Sequence, residues 1–345
     1  MTRPCHQNVV STTPSPPQTV FLGIDVGGTN VKLGLIEDGG QIIAQHAVPT
    51  PPLKTPERVI EYALSFANEE TTSHQRIGGV GLAIPGILDS EEMVLREVVN
   101  LPGWIDRPLL RLLSDQCDTP AMVVNDANAA AFAEHSRRGL GDRSLALVTL
   151  GTGIGCGVVI GGRPFSGDHG CAGELGHIAI RFGDDALPCT CGSRGHLETY
   201  AGAGGVLARL KLAYATNPKH RIPASLQSPL ASPKDIADEA IKGDTICLDV
   251  IDETAIHVGS AIGMLGQTID PAVVLLGGAM TFGGKQSSTG IRFLEKVRAT
   301  VRETTLVQVG GNLIVDFASL GNDAGIVGAA LVAKQAAADA CFNNS

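Results

Sequence analysis

Residues 172–198 read AGELGHIAIRFGDDALPCTCGSRGHLE and gather two histidines, two cysteines and two glutamates among turn-forming glycines. Cys189 and Cys191 stand one residue apart, His196 follows five residues after Cys191, and His177 lies upstream. Four soft or borderline donors match a closed tetrahedral zinc site. Ordinary buried thiols are the bland alternative, but a pair one residue apart on a Gly-rich turn is hard to explain by packing. A reactive dithiol is set aside because its usual spacing has two intervening residues. Cys171 is a rival fourth ligand. Glu174 and Glu198 flank the cluster. As hard carboxylates they are better suited to accept hydrogen bonds from hydroxyls than to bind a thiolate-rich ion, and His177 can hold the metal while turning a ring edge to a ligand. The stretch reads as a structural metal clasp holding a pocket whose carboxylates suit a hydroxyl-rich ligand.

Three glycine turns at strand ends supply a second chemistry. VFLGIDVGGTNVKLGLI at 20–36 reads as a β-hairpin whose tip carries Gly27, Gly28 and Thr29. Backbone N–H groups without a Cβ beside them can close on phosphate oxygens, Thr29 can donate a hydrogen bond, and Asp25 can hold a hydrated cation. Residues 145–160 repeat the arrangement around Gly151, Thr152 and Gly153, a weak internal duplication, and LLGGAM places Gly277 and Gly278 after a strand at 273–276. One such turn is a common feature; three at strand ends can converge on a nucleotide. Asp126 follows Asn125 at the start of an alanine-rich helix, behind a short strand at 121–124. A carboxylate there is either a helix cap or, because ligand-contacting groups gather at the carboxyl ends of sheet strands, a general base. The strand ending at Pro85-Gly86 makes Gly86 a ligand edge. In NLPGW at 100–104, Asn100 is the candidate contact and Trp104 a core anchor.

The elements that must position these residues alternate. Helical spacing at 56–70, 109–113, 126–138, 199–214, 235–241, 244–269, 292–301 and 324–338 is interleaved with strand patterns at 77–84, 121–124, 145–160 and 273–276, which predicts an α/β fold. A length of 345 residues predicts two lobes and a cleft. Residues 19–138 form the expected first lobe, closed by a terminal helix at 321–338. Residues 139–320 form the second, with the metal-binding insertion at 171–198, and a Pro/Ser/Thr-rich extension at 1–18 is expected to be disordered.

Composition narrows the partners. With 43% hydrophobic residues and a net charge of -9, the chain lacks the basic field that nucleic acid or anionic lipid requires, which leaves a small molecule. Eight cysteines over this length are no dense disulfide framework, and the first 18 residues lack an apolar core for export, so a cytoplasmic protein is expected. The apolar stretch 144–161 is interrupted by glycines and bounded by strand patterns, which argues against a membrane span.

Taken in order, DVGGTN at 25–30, NLPGW, Asn125-Asp126, LGTGIG at 150–155, GELGH at 173–177 and CTCGSRGHLE at 189–198 resemble the ROK sugar-kinase family, over roughly residues 20–338, with NLPGW most like its bacterial glucokinases. The resemblance implies an α/β, two-lobed actin- and hexokinase-like (ribonuclease H-like) ATPase fold, as a homodimer or dimer of dimers, with glucose or a related hexose meeting ATP in the cleft. It implies that Asp126 takes the proton from the sugar 6-hydroxyl as that oxygen attacks the γ-phosphate, giving glucose 6-phosphate. Asn125, Glu174, His177 and Glu198 then match the sugar-holding positions, with Asn100 and Gly86 beside them. Gly27, Gly28, Gly151 and Gly153 cradle phosphate, Mg²⁺ lies near Asp25, and Gly277 and Gly278 lie beside the adenosine. One departure stands out: where the family usually has a third cysteine this chain has His196, so the expected Cys₃His zinc set becomes His177, Cys189, Cys191 and His196. Competing readings are an N-acetylmannosamine or other hexose kinase, and a non-catalytic sugar sensor, against which Asp126 argues. A sugar-responsive repressor would need a helix-turn-helix domain that 18 Pro/Ser/Thr-rich residues are not expected to supply.

Overall fold

The computed structural model describes residues 17–89, 93–98 and 100–343. The expected disordered extension falls mostly on residues 1–16, outside that set, and Gln18 is already in a strand, paired with Gln75. The first half runs β1 (Gln18–Val26), β2 (Asn30–Glu37), β3 (Ile42–Pro49), α1 (Pro56–Glu70), β4 (Gln75–Ile84), β5 (Ile87–Leu88), β6 (Leu95–Glu97), α2 (Leu109–Ser114), β7 (Ala121–Asn125) and α3 (Asp126–Arg137). The second runs β8 (Leu145–Leu150), β9 (Ile154–Ile160), β10 (Arg163–Pro164), α4 (Leu197–Ala201), α5 (Ala203–Thr216), α6 (Ala224–Gln227), α7 (Pro233–Ile241), α8 (Thr245–Ile269), β11 (Val273–Gly277), α9 (Ser288–Thr304), α10 (Val307–Asn312), β12 (Ile314–Phe317) and α11 (Ala324–Asn343).

The two five-stranded sheets have orders β3-β2-β1-β4-β7 and β10-β9-β8-β11-β12. In each, three antiparallel strands lead into two parallel ones. The similarity of the two glycine hairpins is therefore the visible part of a repeat that extends over both sheets. β5 and β6 pair into a small antiparallel flap outside them. The central strand β1 is buried along most of its length, as its near-continuous apolar run requires.

Glycines decide how closely the layers approach. A β-carbon on Gly23 would lie 2.0 Å from the Ile326 carbonyl oxygen, and one on Gly81 1.8 Å from that of Ala329, so α11 rests directly on the backbones of β1 and β4. One on Gly157 would lie 1.9 Å from the Ala127 oxygen, and one on Gly328 1.8 Å from the Ala129 oxygen. Thus α3 is seated on β9 of the second sheet, α11 on the first sheet, and the two helices on each other. The apolar cluster joining the halves contains Phe132 of α3, Leu145 and Val273 of the second sheet, and Ile326 and Ala330 of α11. Residues 321–342 are long and apolar enough to cross a membrane, the one such helix among those described, yet Ile326, Ala329, Ala330 and Ala333 are buried in this layer.

Local sequence explains where expectation and structure part. The helix expected at 199–214 is broken at Gly202, which ends α4 and caps α5. α7 begins two residues before the expected Asp235, because Ser232 and Asp235 close a capping box ahead of Pro233. Asp244 caps α8 by accepting from the Cys247 N–H at 3.0 Å. Trp104 is fully buried, as an anchor should be.

Candidate active site

Asn125 and Asp126 sit where β7 ends and α3 begins. Asn125 is the N-cap: its Oδ1 accepts from the N–H groups of Ala127 at 2.9 Å and Asn128 at 3.1 Å. Its amide nitrogen donates to the Gly86 carbonyl at 3.1 Å, pinning the β4–β5 turn where Gly86 has φ +101°. Most of its hydrogen-bonding capacity is spent on architecture, which leaves one amide hydrogen for a ligand. Asp126 is the first residue of the helix, not its cap, and its Oδ1 accepts from the Ala127 N–H at 2.8 Å. Burial raises its pKa above the ordinary carboxylate value, with the backbone N–H of Ala127 pulling the other way.

A group of carboxylates surrounds it. Asp25, at the end of β1, is pushed up to about 6 by burial, with Lys32 opposing the rise and the charge of Asp126 adding to it. Lys32 Nζ is 3.8 Å from Asp25 Oδ2 and donates to the Asn322 carbonyl at 2.9 Å. Asp25 is packed over Gly325 in the first turn of α11, where a β-carbon would lie 2.4 Å from Oδ2. Glu174 is also raised, chiefly by burial, then lowered by His177 and raised by the charges of Asp126, Glu198 and Glu97. Lys32 and Glu97 were not among the residues expected here. Lys32 was recoverable, since the hairpin places it directly across from Asp25. Glu97 lies on the flap, whose strands are too short to leave a pattern.

The glycine loops are held from outside. Thr50 donates through Oγ1 to the Gly27 carbonyl at 2.6 Å and through its N–H to the Thr29 carbonyl at 2.8 Å. Asn100 lies against the same loop, its Cβ 2.9 Å from where a β-carbon on Gly28 would stand. In the second loop the Gly151 N–H donates to the Gly153 carbonyl at 3.0 Å, and Thr152 at the tip is exposed. The third turn abuts the second: Gly278, at φ +88°, is so close that a β-carbon would lie 2.3 Å from the Leu150 oxygen, and the Met280 N–H donates to that oxygen at 3.0 Å. Beyond Gly277 and Gly278 opens a cavity of about 790 Å³, lined by Met280, Thr281, Phe282, Lys234, Asp238 and Ser287.

The metal-ligand expectation was the most specific, and the donors do converge. One atom from each of His177, Cys189, Cys191 and His196 lies within 4.8 Å of the others. Cys191 Sγ is 3.3 Å from His196 Nδ1 and Cys189 Sγ is 3.9 Å from His177 Nδ1. Tetrahedral zinc with ordinary bond lengths separates N and S donors by roughly 3.6 Å, so the arrangement fits that ion. Burial alone would raise the Cys189 thiol, but hydrogen bonds from the backbone and thiol of Cys191 and from His196 and Thr199 bring it down to about 6. Cys171 is outside the group, its thiol directed to the His169 carbonyl at 3.3 Å. His177 turns its other nitrogen, Nε2, to within 4.0 Å of Glu174 Oε2, so one ring touches both the clasp and the carboxylate group. Glu198, expected to hold sugar, accepts through its Oε2 from the Ile154 N–H at 2.8 Å, on the second glycine loop.

The chain and its fold have counterparts along almost their full length. The glucokinase of Halalkalibacterium halodurans is 31% identical over 330 residues, covering 91% of this chain and 95% of that protein. The N-acetylmannosamine kinase of Escherichia coli (strain SMS-3-5 / SECEC) is 31% identical over 316 residues, covering 91% and 98%. The crystal structure of a ROK family glucokinase from Streptomyces griseus in complex with glucose and AMPPNP aligns with a TM-score of 0.68 and 29% identity, over 92% of this chain and 99% of that one. The duplicated sheets with two crossing helices between them are thus the actin- and hexokinase-like ATPase fold. The ROK family model itself matches residues 21–336, nearly the whole described chain, and the chain belongs to the ROK family.

Proposed function

We propose that the protein is an ATP-dependent hexokinase of the cytoplasm, working as a homodimer, that transfers the γ-phosphate to the 6-hydroxyl of glucose. The observation that carries this reading is the position of Asp126. It begins α3 at the carboxyl end of β7, and its carboxylate interacts electrostatically both with Asp25 at the first glycine loop and with Glu174 beside the clasp, which supports a base shared by a phosphate side and a sugar side. Phosphoryl transfer asks mainly for alignment and charge neutralisation, and one carboxylate base suffices for the hydroxyl proton.

In this reading Glu174, His177 and Glu198 accept and donate hydrogen bonds to sugar hydroxyls, with Asn100, Gly86 and the free amide hydrogen of Asn125 at the edge. Asp126 receives the 6-hydroxyl proton as that oxygen bonds to the γ-phosphorus and the bond to the β-phosphate oxygen breaks. The N–H groups of Gly28, Thr29, Thr152 and Gly153 face the phosphates, while Gly27 and Gly151 close the two turns through their own N–H groups, and the cavity beyond Gly277 and Gly278 takes the adenosine. Asp25 would hold Mg²⁺, which would supply charge neutralisation for the phosphates and for a carboxylate that burial otherwise pushes toward its neutral form. His177, Cys189, Cys191 and His196 would hold zinc in a structural role, two thiolates balancing its charge beside two neutral imidazoles.

A second reading, an N-acetylmannosamine kinase, has support in a relative of that name as similar as the glucokinase. An ADP-release assay across glucose, N-acetylmannosamine, N-acetylglucosamine, mannose and fructose separates the two. Glucose should give the highest kcat/KM. Preference for N-acetylmannosamine transfers the assignment to that sugar, and absence of any sugar-dependent turnover removes the kinase reading.

A further inference from the structure

The second glycine loop is joined to the sugar side through one short helix, α4, and the start of the helix that follows it. His196, one of the four clasp residues, is the N-cap of α4, and Glu198 stands in the first turn of the same helix. Glu198 Oε2 takes the Ile154 N–H at 2.8 Å, and the fit is close: a β-carbon on Gly153 would lie 2.5 Å from that oxygen. Among the described residues no hydrogen bond is made by Oε1. At the far end of α4 the Gly202 N–H donates to the Glu198 carbonyl at 2.8 Å, and the next residue, Ala203, donates its N–H to the Gly151 carbonyl at 3.0 Å. The second glycine loop is therefore held at Ile154 by α4, whose start belongs to the clasp, and at Gly151 by the first residue of α5, which follows α4 directly after Gly202.

We infer that Glu198 is a two-sided positioning residue, fixing the Gly153–Ile154 peptide with Oε2 while Oε1 takes a sugar hydroxyl, and that it couples hexose binding to nucleotide binding. The inference rests on the hexokinase reading above. A hydroxyl donating to Oε1 fixes the carboxylate rotamer. That rotamer holds the loop amides in the arrangement phosphate needs, so each ligand pre-organises the site for the other and the coupling is reciprocal. In this coupling the clasp acts through His196, which anchors the start of α4 without itself touching either ligand.

The experiment compares the dissociation constant of AMPPNP, by calorimetry, with and without saturating glucose. It also follows amide hydrogen exchange over residues 150–156 with glucose alone. Wild-type protein is expected to bind the nucleotide at least about fivefold more tightly with glucose, the lower end of ordinary coupling, and to slow exchange in the loop before any nucleotide is added. In Gly153→Ala the new β-carbon displaces Glu198 Oε2 from the loop, while Asn125, Glu174 and His177 remain for the sugar. Glucose should still bind, more weakly, and once it is again saturating the ratio of nucleotide affinities should fall to about one. Glucose binding without slowed exchange or tighter nucleotide binding in the wild type overturns the inference alone, as does coupling that survives in Gly153→Ala. If the variant does not fold, the wild-type exchange and affinity ratio decide. Failure of every hexose to bind removes the hexokinase reading and this inference together.

Discussion

Asp25 is maintained against its own stability. Its carboxyl is moved from 3.8 to about 6, mainly by burial. A carboxyl raised on folding favours the folded state below its unfolded value and loses that contribution as pH rises through the folded value, a swing of about 3 kcal/mol here. Asp25→Asn should therefore be more stable than wild type at pH 8 by up to about 3 kcal/mol, with the difference shrinking as pH falls from 6 to 4. Urea unfolding at the three pH values checks it, and a pH-independent difference counts against burial as the cause. At Asp126 the expectation is kinetic. Asp126→Asn should lower kcat by about 10²-fold or more with glucose affinity changed little, since removing a general base commonly costs 10²–10⁴. Because burial raises Asp126, wild-type kcat should begin to fall at a higher pH than an ordinary carboxylate would allow, and the residual activity of the variant should lose that limb. The place of Asp126, first in α3 behind β7, was legible because a carboxylate behind a short strand is a recognisable pattern. The second contact of Glu198 was not, because it depends on a loop 44 residues away in sequence.

At the scale of elements, the clasp shows what spacing can and cannot say. Cys189-Thr-Cys191 and the two histidines named four donors, and their convergence follows from the pairing of Ala179 with His196 and Pro188 with Arg194, which folds the insertion back on itself. The break at Gly202 was harder to see. Residues 199–214 carry helix-forming side chains on both sides of it, and only the packing of Gly202 against the Glu198 and Thr152 carbonyls requires a glycine in extended conformation there. Protein purified without chelator should contain about one zinc per chain by elemental analysis, the number that a single four-donor set can hold. Stripping the metal should lower the thermal midpoint and raise KM for the sugar more than it lowers kcat, since Glu174 and Glu198 adjoin the clasp while Asp126 is carried on α3. Zinc should restore both. Full activity in protein shown to hold no metal would remove the clasp from the mechanism.

For the whole molecule, the repeat of two like sheets was only partly readable. The hairpins were similar in sequence, but β3, β10 and β12 left little pattern, being respectively half-exposed, two residues long and four residues long. What unites the halves is the α3–α11 layer, and its geometry makes opposite predictions for one kind of substitution. In Gly328→Ala the added carbon would lie 1.8 Å from a backbone oxygen of α3, and no side-chain rotation relieves a contact between two backbones. The helices must part, at a cost of about 2–3 kcal/mol or more for overpacking, and Asp126 moves with α3. Gly204→Ala, in α5 where a β-carbon meets nothing within 4 Å, should instead stabilise by about 0.5–1 kcal/mol through helix propensity alone. Urea midpoints of the two variants should therefore shift in opposite directions, and kcat should fall only in Gly328→Ala. Equal shifts would mean that the bare-backbone contact does not hold the halves together, and unchanged turnover in a destabilised Gly328→Ala would mean that Asp126 is placed by the second sheet alone.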